Sequence, residues 1–194
     1  MEDKNSRFKR LINGFVSGWW PVVVIAALTS LLLYQKWSMK HPQVRLVLKP
    51  GDVMPMVTVR DLQGKTQDLR FRSGSRTLLY AFSPDCVFCQ RNEASFRSLL
   101  EQAPRFRVVA VSLKTNGLAE FVRKSGITGS GALIYALSDR ARRQLKLNIT
   151  PETVIISPQG MVENIWPGAY MGNVAKSVEA TLRIKLPVIA DIAH

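Results

Sequence analysis

Histidine is nearly missing from this chain. The only two, His41 and His194, lie near the edges of the presumed folded region. A Cys–His hydrolase would therefore lack its base. Cysteine is equally scarce: Cys86 and Cys89 are the only two in 194 residues. That excludes a disulfide-stapled framework, and with 46% hydrophobic residues the chain can bury a core without one. Two sulfurs with no histidine nearby fall short of the four ligands of a structural zinc site. Gln90 stands where covalent haem attachment needs a histidine after the second cysteine. No metal and no cofactor is expected. Acidic residues are also few, 14 against 27 Lys and Arg, for a net charge of +13. Such a balance favours acidic partners, anionic lipid or nucleic acid, and says nothing about fold.

Charge is absent altogether from the 25 positions between Arg10 and Lys36. Phe15 to Tyr34 is 20 residues, about 30 Å as a helix, which matches a bilayer core. Trp19 and Trp20 flank one side and Tyr34 and Trp37 the other, as interfacial aromatic belts do. A cleaved signal peptide suits the basic start "KNSRFKR", but "YQKWSMKHP" lacks a small-x-small cleavage pattern. The length argues against a buried core helix. The expectation is a basic N-terminus over 1–14, an uncleaved membrane anchor over 15–37 and a linker over 38–50. A folded domain over 51–185 and a tail over 186–194 follow. Lys4, Arg7, Lys9 and Arg10 precede the span, and Lys36, Lys40, Arg45 and Lys49 follow it. The flanking charges tie, so they leave the orientation open.

Beyond the span, β and α patterns alternate. "VMPMVTV" and "QDLRF" read as short strands around a turn at Gly64, and "RTLLYAF" (76–82) as a buried strand ended by Ser83-Pro84. One helix is expected from about Cys86 to Gln102. "FRVVAVSL" (106–113) reads as a strand, "GLAEFVRKSG" (117–126) as a helix ended by glycine, and "ALIYALS" as a strand. "RARRQLK" is a short basic helix, "ETVIIS" and "GMVENIW" form a hairpin around "PQG", and "NVAKSVEATLRIKL" is a closing helix. The cluster Arg140, Arg142, Arg143 and Lys146 reads as a solvated helix face, with contact to anionic lipid or an acidic partner as the alternative. The fold class is α/β with a mixed sheet. No internal repeat or low-complexity tract is present.

Within 86–103, Phe96, Leu99, Leu100 and Ala103 form a helical stripe, and seven residues before Phe96 lies Cys89. Cys89 therefore belongs to the buried face. Cys86 falls at the helix start, where free N–H groups and the positive dipole end stabilise a thiolate. One sulfur is placed to react and the other to sit behind it. Both could instead merely pack, but strand, turn, cysteine pair and helix in an α/β context favour a redox dithiol.

Three segments carry a family resemblance: "GDVMPMVTVRDLQGK" (51–65), "LLYAFSPDCVFCQRN" (78–92) and "LNITPETVIISPQGMVENIWPG" (147–168). In this order they resemble the thioredoxin-like proteins, specifically the membrane-anchored extracytoplasmic type often called TlpA- or ResA-like, related to the AhpC/TSA-type redoxin domains. The resemblance spans about 51–185. It implies a thioredoxin-like mixed β-sheet flanked by helices, and it implies that Pro151 is a cis-proline facing the dithiol. The Thr150 backbone would then pair with an incoming polypeptide. Two positions depart from the family. Asp85 precedes the first cysteine where many relatives have tryptophan. Asn92 stands where many have a glutamate, with Glu93 one position later on a different helical face.

The resemblance also places the domain outside the cytoplasm, on a bacterial inner membrane, with the N-terminus inside. The expected activity is thiol–disulfide oxidoreduction, as a reductase in cytochrome c maturation or a similar pathway. Cys86 would attack and Cys89 resolve, with protein disulfides as substrates and a membrane electron donor. Asp85 is expected to cap the helix and raise the Cys86 pKa, and Glu93 is a second candidate for modulating that pKa. Two rivals stand beside this. A peroxiredoxin-like peroxidase fits Ser83, three before Cys86, but has Leu79 where its motif wants proline. A tethered copper-binding module would use the two thiols and is weakened by the lack of histidine. Nucleic acid is not an expected partner in that compartment.

Overall fold

A computed structural model describes residues 19–36, 47–127, 131–187 and 189 of the chain. His41, His194 and Trp37 lie outside the described residues, as do residues 15–18 of the expected anchor. The chain divides into two compact units between Val44 and Arg45.

The first unit contains α1 (Trp19–Lys36), 18 residues that are long and apolar enough to cross a membrane. Its side chains are exposed, Trp19, Trp20, Ile25, Leu32 and Leu33 among them. The hydroxyls of Thr29 and Ser30 donate back to the carbonyls of Ile25 and Ala26 at 2.9 and 2.8 Å. These polar groups are thus satisfied within the helix, as a hydrocarbon surrounding demands.

The second unit is built on a seven-stranded sheet in the order β2-β1-β5-β4-β3-β6-β7. The central strands β3 (Thr77–Phe82), β4 (Arg107–Ser112) and β5 (Leu133–Ala136) are parallel. On one side, β6 (Glu152–Ile156) and β7 (Val162–Pro167) form the antiparallel hairpin read from the sequence. On the other side, β1 (Val57–Arg60) pairs antiparallel with β5 and with β2 (Thr66–Leu69). Every residue of β3 is buried, as expected of a strand covered on both faces. Its side chains alternate between two cores. Leu78, Tyr80 and Phe82 meet Cys89, Phe96 and Leu99, while Leu79 and Ala81 meet Val57, Val59, Leu145 and Leu147.

Several expected boundaries shift for local reasons. "VMPMVTV" becomes a strand only from Val57; Val53 forms an isolated bridge to Met161, and Pro55 has no N–H to donate. The helix expected over 86–102 begins at Val87 and is interrupted at Asn92, giving α2 (Val87–Arg91) and α3 (Glu93–Gln102). The remaining helices are α4 (Leu118–Ser125), α5 (Asp139–Gln144) and α6 (Gly172–Leu182). Gly117 and Gly126 bracket α4 in the left-handed conformation that glycine adopts without a Cβ clash. The basic stretch at α5 is not wholly solvated. Arg140 and Arg143 are exposed, whereas Lys146 is half-buried and ion-paired to Asp52 at 2.8 Å. Leu48, within the segment read as a linker, is buried in the core.

Candidate active site

The dithiol sits just past the carboxyl end of β3, where the chain leaves the sheet and turns into α2. The Cys86 N–H donates to the Ser83 carbonyl at 3.1 Å, closing the turn. Cys86 itself is the N-cap residue of α2, with extended backbone, and its sulfur accepts from the Cys89 N–H at 3.3 Å. The capping role expected of Asp85 therefore belongs to Cys86. The reason is geometric: the Asp85 carboxylate turns away from the helix to accept from Ser83 Oγ and Lys114 Nζ. Those two hydrogen bonds, Lys114 first, hold the Asp85 carboxyl below the usual carboxylate range.

Cys86 is half-buried and Cys89 buried, and both are free thiols. The Thr150–Pro151 peptide bond is cis, and the Cys86 thiol donates to the Thr150 carbonyl at 3.4 Å. Residues 64 positions apart are thus brought face to face. Burial is the largest influence on the Cys86 sulfur and opposes its ionisation. Hydrogen bonds from the Cys89 thiol, from the Thr150 side chain and from the Cys89 and Phe88 N–H groups outweigh it, and the pKa falls below the ordinary thiol value. For Cys89 burial dominates and the Cys86 sulfur adds to it, pushing the pKa up to about 12. At neutral pH the outer sulfur is the one poised to ionise.

Behind Cys89 lies a chain of neutral polar groups that the sequence did not announce. Asn92 is fully buried at the α2–α3 junction. Its amide donates to the Tyr80 hydroxyl at 3.2 Å and accepts from the Tyr170 N–H at 2.8 Å. The Tyr170 and Thr153 hydroxyls share a hydrogen bond at 2.6 Å, and Thr153 is the β-sheet partner of Tyr80. Tyr80 stacks on Phe96 with ring centroids 3.8 Å apart. Burial raises the pKa of both phenols, so both stay protonated. Glu93, by contrast, points away from this network, pairing with Arg97 at 3.0 Å. It lines an open groove of about 620 Å³ together with Pro84, Asp85, Gln90, Glu120 and Lys124.

One buried acid does exist, and it lies on the other face of the sheet. Glu152 follows Pro151 and pairs in register with Ala81. It is 5% exposed, and its Oε2 has no hydrogen-bond partner among the described residues. Burial pushes its pKa up to about 7. Among the described residues no group of three or more His, Cys, Asp or Glu side chains could hold a metal ion.

No protein-family model matches the sequence, and no curated protein matches it. Solved structures do match. The thioredoxin domain of a thiol-disulfide oxidoreductase from Bacteroides vulgatus superposes with a TM-score of 0.52 at 18% identity, covering 70% of this chain and 99% of that one. A secreted Mycobacterium tuberculosis disulfide oxidoreductase homologous to E. coli DsbE gives 0.53 at 17%, covering 66% and 94%. A peroxiredoxin-like protein from Aquifex aeolicus gives 0.56 at 14%, covering 71% and 87%. Likeness at these identities is likeness of fold, and it agrees with the strand order, the cis-proline and the placement of the cysteine pair. The fold of this chain is thioredoxin-like.

Proposed function

We propose that the protein is a thiol–disulfide oxidoreductase held to a bacterial inner membrane by α1, with its N-terminus inside and its domain outside the cytoplasm. The observation that carries this is the divided dithiol: Cys86 caps α2 with a lowered pKa beside Thr150 and cis-Pro151, and Cys89 stays protonated behind it. The Cys86 thiolate attacks a protein disulfide, forming a mixed disulfide and releasing one substrate thiolate. Cys89 then gives up its proton and attacks the Cys86 sulfur, releasing the second substrate thiolate and leaving a Cys86–Cys89 disulfide. Once Cys86 is in the mixed disulfide it carries no negative charge to raise the Cys89 pKa, which favours the second step.

Thr150 and Pro151 would receive the substrate backbone, and Val87, Phe88 and Ile149 present an exposed apolar rim around the sulfur. That rim suits a polypeptide substrate better than a small polar thiol. The Cys-Val-Phe-Cys sequence places no histidine or cation between the sulfurs, which favours a reducing poise. A membrane electron donor would restore the dithiol, and cytochrome c maturation or a similar pathway is the proposed setting.

The decisive experiment mixes the reduced full chain with a peptide disulfide in a single turnover. Two peptide thiols should appear for each protein oxidised. Consumption of peroxide with no peptide reduction would instead favour the peroxidase reading, which the Aquifex neighbour supports at the level of fold. Against that reading, the Ser83 hydroxyl is taken up by Asp85 rather than offered towards the Cys86 sulfur.

A further inference from the structure

The end of the sheet opposite the dithiol is crowded with cations. β3 and β4 run in parallel from Thr77 and Arg107 towards the dithiol. At their starting end stand Arg70, Arg72, Arg76, Arg105 and Arg107, all exposed except the half-buried Arg107. They are held in place by specific contacts. Arg76 and Arg105 both lie over the Phe106 ring, 5.2 and 5.4 Å from its centroid. Arg107 donates to the Arg70 carbonyl at 2.8 Å, and Arg105 to the Leu182 carbonyl at 3.0 Å. Arg183 and Lys185 stand exposed just beyond α6 at the same end.

Carboxylates are sparse there. Glu163 pairs with Arg76, Asp52 pairs with Lys146, and Glu179 accepts from the Leu186 N–H. Glu101 is exposed on the last turn of α3. Among the described residues no carboxylate ion-pairs with Arg70, Arg72, Arg105 or Arg107. The dithiol end differs. Its acids Asp85, Glu93 and Glu120 each face one cation, Lys114, Arg97 and Lys124.

The chain also joins the domain at the arginine-rich end. Gly51 N–H donates to the Val162 carbonyl and Met54 N–H to the Gly160 carbonyl, both at 2.8 Å, beside the turn that precedes β7. Only ten residues, 37–46, separate α1 from Val47. Lys36, Lys40, Arg45 and Lys49 continue the basic run between the apolar span and this end. Exposed charges interact appreciably with a charged surface only within about 8 Å at physiological salt. Ten residues reach at most about 35 Å when extended, so it is the charge of this end, rather than the tether length, that would draw it to an anionic surface.

We propose that the arginine-rich end of the domain rests on anionic phospholipid headgroups, so that the dithiol faces away from the bilayer. This rests on the reading of α1 as a membrane anchor. It also gives a role to the four cations after the span, which tie the flanking-charge count. The arrangement presents Cys86 to substrates in the aqueous phase and holds it apart from the lipid.

The test uses the full chain reconstituted in phosphatidylcholine vesicles with and without phosphatidylglycerol, read by hydrogen–deuterium exchange. Backbone amides of 70–76 and 157–161 should exchange several-fold more slowly with phosphatidylglycerol present, while 84–90 is unchanged. High salt should reverse the protection in the wild-type chain, and so should the double variant Arg70→Gln with Arg72→Gln. Equal exchange in the two lipids, or protection centred on 84–90, would overturn the proposal while leaving the anchor standing. Failure of the chain to co-float with either vesicle would overturn the anchor, and this orientation with it.

Discussion

At the level of Cys86, the two faces of the sheet treat buried polarity in opposite ways. On the dithiol face Asn92, Tyr80, Tyr170 and Thr153 are neutral, buried and mutually hydrogen-bonded. On the other face Glu152 is ionisable, buried and has one oxygen without a partner. Two residues past the cis bond, Thr153 belongs to the first arrangement, and one residue past it Glu152 belongs to the second. Alternation along a strand is enough to separate them. The lesson is that the groups buried behind the Cys86 sulfur are neutral, while Glu152, the carboxylate buried nearby among the described residues, lies on the opposite face of the sheet.

The sharpest way to break this comparison is to remove the sulfurs singly. Cys86→Ser should abolish peptide-disulfide reduction and trap few mixed disulfides. Cys89→Ser should accumulate them, visible as substrate adducts on non-reducing gels and by mass. The reverse pattern would exchange the two roles.

Next in size is the neutral network. Asn92→Leu leaves the Tyr170 N–H and the Tyr80 hydroxyl buried without partners, so denaturant unfolding should show a loss of about 3 kcal/mol. A loss below about 0.5 kcal/mol would mean that water or a shift of α3 replaces the amide.

Glu152 gives a pH-dependent effect on the opposite face. Its folded pKa is raised to about 7 from 4.5. Between those values the folded state binds more protons than the unfolded one, so stability falls as pH rises from about 4.5 to 7 and is level above. Glu152→Gln should remove that fall, about 3 kcal/mol across the window, as measured by chemical denaturation at pH 5 and pH 8. If wild type and variant show the same pH slope, Glu152 is ionised at no cost and the contrast between the faces disappears.

The smallest expected effect is at Asp85. Asp85→Asn removes an exposed negative charge and leaves Lys114 unpaired, and both changes favour the Cys86 thiolate. Thiolate absorbance against pH should show a slightly lower pKa, limited by solvent screening. An unchanged or higher value would confine Asp85 to holding the turn.

Most of the strands, the placement of both cysteines and the cis-proline were legible because each is local or carried by a motif. Cys89 falls on the helical stripe of Phe96 and Leu99, and burial follows from that spacing. What was not legible depends on partners remote in sequence. Asn92 stood out only as a departure from a family pattern, yet its acceptor bond is to Tyr170, 78 residues away. The break falls at Asn92 itself, and no 3.6-residue period encodes it. Asp85 was misassigned as the cap because its preferred partner, Lys114, lies 29 residues on, past β4. Glu152 was read as part of a strand, and its isolation appears only when the faces of neighbouring strands are known.

Three hydrogen bonds, together with the β3–β6 pairing of Tyr80 with Thr153, close a circuit through Asn92, Tyr80, Thr153 and Tyr170. A closed circuit behaves as a truss: tilting α2 away from the sheet would strain every member together. The expectation is that joining or parting the sulfurs is absorbed by rotation of the two cysteine side chains and small shifts in the turn at 83–86. A partner that tells the oxidised protein from the reduced one would then read the difference at the rim of Cys86.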